Sequence, residues 1–203
     1  MKIAIVTETF LPSTDGIVTR LTAAIRWLRN HGHEVLIIAP DLGVSDFEGA
    51  RIDGVKARRF FLYKDKELAL PTMQVGRSLH QFDPDVVHVV NPAVLGVAGI
   101  FYGRKWPLVA SYHTNIPQYA DFYKLPFLKP ILWQYLQLLH NRADLNLCTS
   151  NTVLQELNGR KFKNVKLWDR GVDLDQFSEN KWDDQMRFRL TEGETDKTLL
   201  LYV

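Results

Sequence analysis

Short apolar runs alternate with amphipathic stretches along most of the chain. An apolar run at residues 3–6 is followed by a polar loop at 8–16, and then by a stretch that ends at Gly32. In that stretch, apolar residues recur at helical spacing, and a second apolar run follows at 35–39. Because each run is short and the stretch between them has the 3.6-residue period, the pattern predicts a strand–helix–strand unit.

The same alternation continues beyond this unit. Further strands are predicted at 86–90, 108–113, 145–149 and 165–168, and further helices at 72–82, 93–103, 127–141 and 151–158. Continuous apolar strands such as VVHVV are typical of parallel sheets that are buried on both faces. The alternation of strands and helices therefore predicts an α/β fold, a doubly wound Rossmann-like sheet that is mostly parallel and has helices on both faces.

The segment at 51–63 has a different pattern. Its Asp53-Gly54 pair lies between two β-prone runs, which predicts a short hairpin with its turn at that pair. Basic and aromatic residues interleave over 51–66, a composition that suits an anionic membrane surface. Residues 122–140 have a similar character. The alternative in both segments is that the apolar side chains pack in the core.

The carboxyl-terminal part changes character again. A turn-rich connector, a short charged helix at 181–190 and a polar linker precede an apolar run at 198–203. We expect one domain over 1–170, a hinge over 171–197, and the first strand of a further domain at 198–203. The alternative is a last strand that folds back onto the first sheet.

Composition excludes several classes of protein. The chain has 203 residues and a net charge of +2, which gives no general case for nucleic-acid binding. The single cysteine, Cys148, lies in an apolar run, so we expect it to be buried in a protein of a reducing compartment. No signal peptide is recognised, and no apolar run reaches the roughly 20 residues of a spanning helix. We expect a cytoplasmic protein, or one held peripherally at the inner face of the membrane.

Polar residues follow three of the predicted strands. Glu8 follows the first strand, Asn91 follows VVHVV, and His113 and Thr114 follow LVASY. Since ligands bind beyond the carboxyl ends of such strands, we expect these residues on one rim of the sheet. The alternative for His113 is a structural hydrogen bond to backbone. His88 lies within VVHVV, and we interpret it as a core histidine.

The first loop places Asp15 and Gly16 at the start of the first helix. Free N–H groups and the helix dipole favour an anion there, so a phosphate could bind, although a purely structural loop is equally consistent. The loop lacks the G-x-G-x-x-G fingerprint, which disfavours a nicotinamide or flavin dinucleotide domain. The sequence shows no metal-ligand spacing, P-loop or nucleophile elbow.

Seven segments, in order, resemble the amino-terminal half of family-four retaining glycosyltransferases of the GT-B architecture. They are PSTDG at 12–16, GHEV at 32–35, DPDVVHVVNP at 83–92, SYHTNIPQY at 111–119, NRADLNLCTSN at 141–151, RGVDLDQF at 170–177 and the tail at 186–203. The YHTNIPQY and RGVD variants are most similar to enzymes that glycosylate lipids, such as sulfoquinovosyl- and mannosyl-diacylglycerol synthases.

The resemblance implies two Rossmann-like domains that face each other across a cleft. The amino-terminal domain would bind a lipid or glycan acceptor, and a carboxyl-terminal domain would hold most of the nucleotide-sugar donor. Transfer would retain the anomeric configuration and need neither metal nor cofactor. These 203 residues alone are not expected to transfer sugar.

The resemblance also implies roles for individual residues. His113 would contact the donor sugar near the reacting carbon. Gly16 and its neighbour Asp15, which stands where the family often has glycine, would lie near the donor phosphates. Arg170 would reach the phosphates or serve as a structural hinge residue. The remaining residues would form the acceptor side of the rim: Glu8, Asn91, Thr114, Asn115 and Tyr119.

Two other functions remain open from the sequence. One is a sugar-nucleotide epimerase of the same two-domain fold, which would need acid/base carboxylates at the cleft; Glu8 is the obvious candidate. The other is a non-catalytic domain that binds a membrane or a partner.

Overall fold

Strands and helices alternate along the computed structural model as the apolar pattern predicts. The structure describes residues 1–60, 63–169, 171–175, 177–194 and 196–200, with the side chains of residues 59, 60, 63–66 and 179 outside that description. The strands are β1 Lys2–Thr7, β2 Glu34–Pro40, β3 Asp46–Phe47, β4 Ala50–Val55, β5 Ala57–Phe60, β6 Tyr63–Ala69, β7 Val86–Val90, β8 Leu108–Tyr112, β9 Leu145–Cys148 and β10 Val165–Leu167. The helices are α1 Gly16–Asn30, α2 Met73–Phe82, α3 Leu95–Gly103, α4 Ile116–Phe122, α5 Lys129–His140, α6 Asn151–Gly159 and α7 Asp184–Leu190, and short 3-10 turns lie at Pro126–Leu128 and Glu179–Lys181.

One sheet carries the fold. Its strand order is β10-β9-β8-β7-β1-β2-β4-β3, and every neighbouring pair is parallel except β3–β4. From β1, the chain winds outward to β2 and β4 on one side, and from β7 to β10 on the other. The order therefore reverses between β1 and β7, and this is the switch point at which α/β sheets bind their ligands. The predicted fold class is confirmed.

Side chains on alternate positions of the central strands feed two different cores. In β1, Ala4 and Val6 pack with α2 and α3, whereas Ile5 packs on the opposite face, against Leu21 and Ile25 of α1. Because both faces of the strand are covered, the strand reads as continuously apolar. A third cluster of buried side chains lies near the end of the sheet that carries β9: Tyr112, Trp133, Leu136, Cys148, Leu157 and Phe162. Cys148 is buried, as its apolar surroundings predict.

The hairpin predicted at Asp53-Gly54 is wrong. Both residues lie inside β4, which pairs in parallel with β2, so that Asp53 aligns with Ile38 and Gly54 with Ala39. Glycine is favoured at this position by close packing, because a Cβ there would lie 2.9 Å from the Cβ of Asp41. Long-range pairing with β2 and burial of Ile52 outweigh the local turn preference.

The turns of this region lie elsewhere. The antiparallel pair β3–β4 turns at Glu48 and Gly49, which have φ values of 54° and 74°. A second antiparallel pair, β5–β6, forms a separate two-stranded sheet over residues 57–69.

The chain divides into two compact units, Met1–Asp169 and Arg170–Val203. In the second unit, α7 is the main described element, and the Asp183 carboxylate caps it by accepting the N–H groups of Gln185 and Met186 at 2.8 and 3.2 Å. Residues 198–200 carry no strand, and residues 201–203 lie outside the described part. The domain boundaries expected from the sequence stay predictions.

Helix α3 lies close to the sheet, and Gly99 is one of the glycines that permit this. A Cβ at Gly99 would lie 2.9 Å from Cγ2 of Val89 and 3.0 Å from Cγ1 of Val6. We predict that Gly99→Ala lowers the free energy of unfolding by about 1–3 kcal/mol, because the methyl group overpacks the interface. This loss should outweigh the helix preference of alanine over glycine, about 1 kcal/mol.

Gly159→Ala in α6 is the matched control, since a Cβ there meets nothing within 4 Å. It should be neutral or slightly stabilising. Urea unfolding followed by circular dichroism measures both variants. Equal unfolding free energies for the two variants would contradict the close packing of α3.

Candidate functional site

The carboxyl ends of β1, β7, β8 and β10 bring four residues to one edge of the sheet. Glu8 follows β1, Asn91 follows β7, His113 follows β8 and Trp168 follows β10. The first three were expected there from the sequence. We call this edge the rim.

Glu8 is held inside the rim by four backbone donors. Its Oε1 accepts the N–H groups of Ala93, Val94 and Gly96 at 2.9, 2.8 and 2.9 Å, and its Oε2 accepts that of Leu95 at 3.0 Å. These donors form the start of α3, where the N-cap residue Val94 has no side-chain acceptor of its own. A carboxylate is stabilised at a helix N-terminus, so Glu8 caps α3 from a different strand.

This position changes the interpretation of Glu8. Burial raises the pKa of the Glu8 carboxyl group, and the four backbone hydrogen bonds act in the opposite direction. With both oxygens engaged by backbone, Glu8 is part of the framework behind the rim. The structure therefore disfavours the acceptor contact and the acid/base role considered for it.

Asn91 connects the ends of two strands. It has a φ of 51°, in the left-handed region that asparagine tolerates better than most residues. Its N–H donates to the carbonyl of Ser111 at 2.7 Å, and its Oδ1 accepts the N–H groups of His113 and Thr114 at 3.3 and 3.1 Å. Asn91 thus fixes the backbone on which His113 stands.

The ring of His113 is held by a buried serine. The Oγ of Ser111 lies 3.0 Å from Nε2 of His113 and 2.8 Å from Nε2 of His88. Burial, together with the nearby His113 and Arg20, lowers the pKa of His88 to about 3. His88 is a neutral histidine within β7, half-buried and hydrogen-bonded to Ser111.

Trp168 and Arg20 complete this part of the rim, and sequence reasoning missed both. The indole ring of Trp168 lies 5.5 Å from the ring of His88 and 5.8 Å from that of His113, between centroids. The Arg20 guanidinium lies 4.1 Å from the Trp168 ring and donates to the backbone carbonyls of Trp168 and Asp169. Arg20 and Trp168 are 148 positions apart, so no local pattern could relate them.

The phosphate site expected at the start of α1 is partly occupied by the chain itself. Asp15 is the N-cap residue, and its Oδ1 accepts the N–H groups of Ile17 and Val18 at 3.0 and 3.1 Å. Its Oδ2 accepts the hydroxyl of Thr9 at 3.1 Å. Gly16 faces open space, because a Cβ there would meet nothing within 4 Å. A diphosphate could approach Gly16, but it would meet the charge of Asp15.

The other predicted rim residues follow His113. Asn115 Nδ2 donates to Oε2 of Glu156 in α6 at 3.4 Å, and within the described residues its buried Oδ1 has no hydrogen-bond partner. Tyr119 is exposed on α4. Arg170, predicted near the phosphates, lies outside the described residues.

An apolar surface is formed by α4, the 3-10 turn at Pro126–Leu128 and α5. We call it the α4–α5 surface. Phe122, Phe127 and Ile131 are 80%, 67% and 58% exposed on it. Tyr135 of α5 links this surface to the rim, because its hydroxyl donates to the carbonyl of Ala93 at 2.5 Å. None of the helices in the described part of the chain is long and apolar enough to cross a membrane.

Comparison with known families gives one match over most of the chain. The family model described as Glycosyltransferase Family 4 matches residues 14–176. The match contains the rim residues that follow β7, β8 and β10.

Several curated proteins are similar to this chain. A GDP-mannose-dependent alpha-mannosyltransferase of Mycobacterium tuberculosis is 34% identical over 93% of this chain and 52% of its own length. A sulfoquinovosyl transferase of Arabidopsis thaliana is 31% identical over 93% of this chain and 38% of its own length. An alpha-monoglucosyldiacylglycerol synthase of Streptococcus pneumoniae is 28% identical over 98% of this chain and 48% of its own length. The chain spans about half the length of the curated relatives it matches.

Solved structures share the fold. A sucrose-phosphate synthase from Thermosynechococcus elongatus superposes with a TM-score of 0.61 at 12% identity, over 94% of this chain and 52% of that one. A glycosyltransferase from Rickettsia africae gives a TM-score of 0.57 at 16% identity, over 98% of this chain and 51% of that one.

Removing the charge of Glu8 tests its role as the cap of α3. Glu8→Gln keeps the shape of the side chain but replaces one acceptor oxygen by an N–H₂ group that faces backbone donors. We predict a loss of about 1–3 kcal/mol in the free energy of unfolding, because at least one buried N–H is left without an acceptor.

Glu34→Gln is the matched control, at the exposed start of β2. A surface change of this kind should remain within about 0.5 kcal/mol. Thermal and urea unfolding measure both variants. If Glu8→Gln were as stable as Glu34→Gln, the cap would contribute nothing.

Proposed function

The chain belongs to glycosyltransferase family 4, and from this membership we propose that it forms the acceptor-side half of a retaining, metal-independent glycosyltransferase. Such an enzyme moves a sugar from a nucleotide-sugar donor to an acceptor, which we propose is a lipid. The observation that carries the proposal is the position of His113. It follows β8, the strand beside β7 at the switch point of the sheet, with its backbone held by Asn91 and its ring held by Ser111.

The proposed donor is a nucleotide sugar whose phosphates are held mainly outside these residues. Relatives named GDP-mannose-dependent mannosyltransferases support the class of donor. The start of α1 supports a location of the phosphates mainly outside these residues, because the Asp15 carboxylate already accepts two N–H groups there. In this proposal Gly16 contributes at most a backbone contact, and the main phosphate contacts lie in a carboxyl-terminal domain.

His113 is the proposed catalytic residue. Sugar transfer with loss of a diphosphate builds positive charge at the anomeric carbon and negative charge on the leaving group. Groups that are already oriented stabilise such charges best, because they need no rearrangement during the reaction. A ring and a backbone that are both fixed suit His113 to orient a donor hydroxyl, or to place its own carbonyl near the positive carbon.

The epimerase alternative finds no support among the relatives, which are named as transferases and synthases. It also needs an acid/base carboxylate at the cleft, and the candidate, Glu8, is bound by four backbone donors.

A His113→Ala variant tests the proposal in the complete natural protein. GDP-mannose and uridine diphosphate sugars are supplied as donors, and diacylglycerol in detergent micelles as acceptor; product is measured by mass spectrometry. We expect transfer by the wild type, and a fall in kcat of about 100-fold or more in the variant.

His80→Ala is the matched control, since His80 is exposed on α2 and away from the rim. It should keep wild-type activity. Full activity of His113→Ala would contradict the role of His113, and absence of transfer from every donor by the wild type would contradict the proposed function.

We further propose that the α4–α5 surface contacts an anionic lipid membrane at the inner face, where the acceptor resides. The name of one relative, an alpha-monoglucosyldiacylglycerol synthase, supports a lipid acceptor. The surface combines exposed aromatic side chains with the exposed Lys124, whereas the neighbouring Lys129 is paired with Asp121 at 2.6 Å. Tyr135 joins the surface directly to the rim loop at Ala93. Interleaved aromatic and basic residues bind anionic lipid surfaces.

The other predicted membrane segment, 51–66, is described only in part. Arg51 is paired with Asp53 at 2.9 Å, which reduces its attraction for anionic lipid. The side chains of residues 59, 60 and 63–66 and the whole of 61–62 lie outside the described residues. Contact of this segment with a membrane stays a prediction.

Vesicle sedimentation tests the α4–α5 surface. We predict that the double variant Phe122→Ser/Phe127→Ser binds vesicles of phosphatidylcholine and phosphatidylglycerol at least tenfold more weakly, because each buried phenylalanine contributes about 1.5–3 kcal/mol. The matched control is Phe101→Ser, which removes a phenylalanine that is 64% exposed on α3. Equal loss in the control, or no wild-type binding to these vesicles, would contradict the assignment.

A further inference from the structure

A serine hydroxyl lies between two histidine rings beneath the rim. The Ser111 Oγ is 2.8 Å from Nε2 of His88 and 3.0 Å from Nε2 of His113, and Ser111 is 1% exposed. Ser111 lies in β8, opposite Val90 of β7, and both strands are parallel neighbours in the middle of the sheet. The backbone of the two strands therefore fixes the position of the hydroxyl.

The hydroxyl has one proton to give, and this links the two rings. A serine donates one hydrogen bond and accepts up to two, whereas each nitrogen of a neutral imidazole either donates or accepts. If the Ser111 hydroxyl donates its hydrogen bond to one Nε2, that nitrogen is bare. The other Nε2 must then carry a proton and donate it to the Ser111 oxygen. If both rings donated to Ser111 instead, its hydroxyl proton would have no acceptor among the described residues, so the favoured arrangement has one Nε2 protonated and the other bare.

The surroundings hold both rings in this arrangement. Trp168 packs against both imidazoles, and the Arg20 guanidinium covers the Trp168 ring at 4.1 Å. Burial, the nearby His113 ring and the positive charge of Arg20 lower the pKa of His88 to about 3, so His88 is neutral near pH 7. A neutral His88 always has one donor and one acceptor nitrogen, so it can serve as the fixed member of the pair.

We propose that Ser111 and His88 are positioning residues that set the tautomer and the orientation of His113. The bond at Nε2 decides whether the other ring nitrogen of His113, Nδ1, carries a proton or a lone pair. That choice decides whether Nδ1 can donate or accept a hydrogen bond. The proposal rests on the proposed function for its consequence in catalysis, but the coupling itself is a property of this chain.

Imidazole nitrogen shifts measure the coupling without any substrate. In a protein labelled with ¹⁵N-histidine, long-range ¹H–¹⁵N spectra at pH 7.5 distinguish protonated from bare ring nitrogens. We expect His88 and His113 each in one predominant tautomer, with opposite states at Nε2. Ser111→Ala should shift the His113 signals towards the averaged values of a free histidine.

Two further variants make the result specific. Ser78→Ala is the matched control, since Ser78 is also buried but lies in α2, and it should leave both histidines unchanged. Ser111→Thr keeps the hydroxyl and should restore the wild-type tautomers. Should Ser111→Ala fail to fold, His88→Gln provides the same test. It removes the imidazole at the far end of the His88–Ser111–His113 hydrogen-bond series, and it should also change the His113 signals.

Activity then separates the two proposals. In the complete natural protein, Ser111→Ala should lower kcat by roughly 10- to 100-fold with little change in the KM of the donor, because it misorients a group without removing it. Equal Nε2 states in the wild type, or unchanged His113 signals in both Ser111→Ala and His88→Gln, would overturn the coupling. Opposite tautomers in a protein without transferase activity would overturn only the proposed function.

Discussion

The carboxylate of Glu8 is the interaction on which the arrangement of the rim depends. It lies at the carboxyl end of β1, beside the switch point of the sheet, and accepts four N–H groups at the start of α3. Open α/β sheets commonly place a bound anion at such a position. Here the chain supplies its own anion, which joins the first strand to a helix that begins more than eighty residues later.

The rest of the rim follows from this fixed point. The loop held by Glu8 begins at Asn91, whose amide oxygen holds the backbone of His113 and Thr114. Ser111 then holds the His113 ring, and Trp168 packs over it. At the first helix, Asp15 occupies the N-terminus in the same way and accepts two of its N–H groups. This arrangement agrees with the proposed function, in which the rim orients a sugar and the nucleotide is held mainly elsewhere.

The sequence predicts the sheet well because its apolar pattern is unambiguous. VVHVV has no other stable place than the middle of a parallel sheet, and His88 does not disturb it, since Ser111 satisfies its ring. The hairpin predicted at Asp53-Gly54 was wrong because turn preference depends on neighbouring residues, whereas the pairing of β4 with β2 depends on contacts between residues distant in sequence. The rim could be predicted only in part: strand ends identify Asn91 and His113, but the partners Ser111, Trp168 and Arg20 depend on contacts between distant residues. Strand ends also place Glu8 on the rim, but its capping of α3 could not be predicted, because its four donors are backbone groups that no side-chain pattern reveals.

The most direct test of the rim as the site of sugar transfer is a crystal structure of the complete natural protein with a non-hydrolysable nucleotide sugar. We expect the sugar ring to lie against the carboxyl ends of β7 and β8, with a His113 ring or backbone atom within about 3.2 Å of a sugar oxygen. We also expect Glu8 still to accept the four N–H groups at the start of α3. A sugar bound away from these strand ends, with His113 out of hydrogen-bond range, would contradict it.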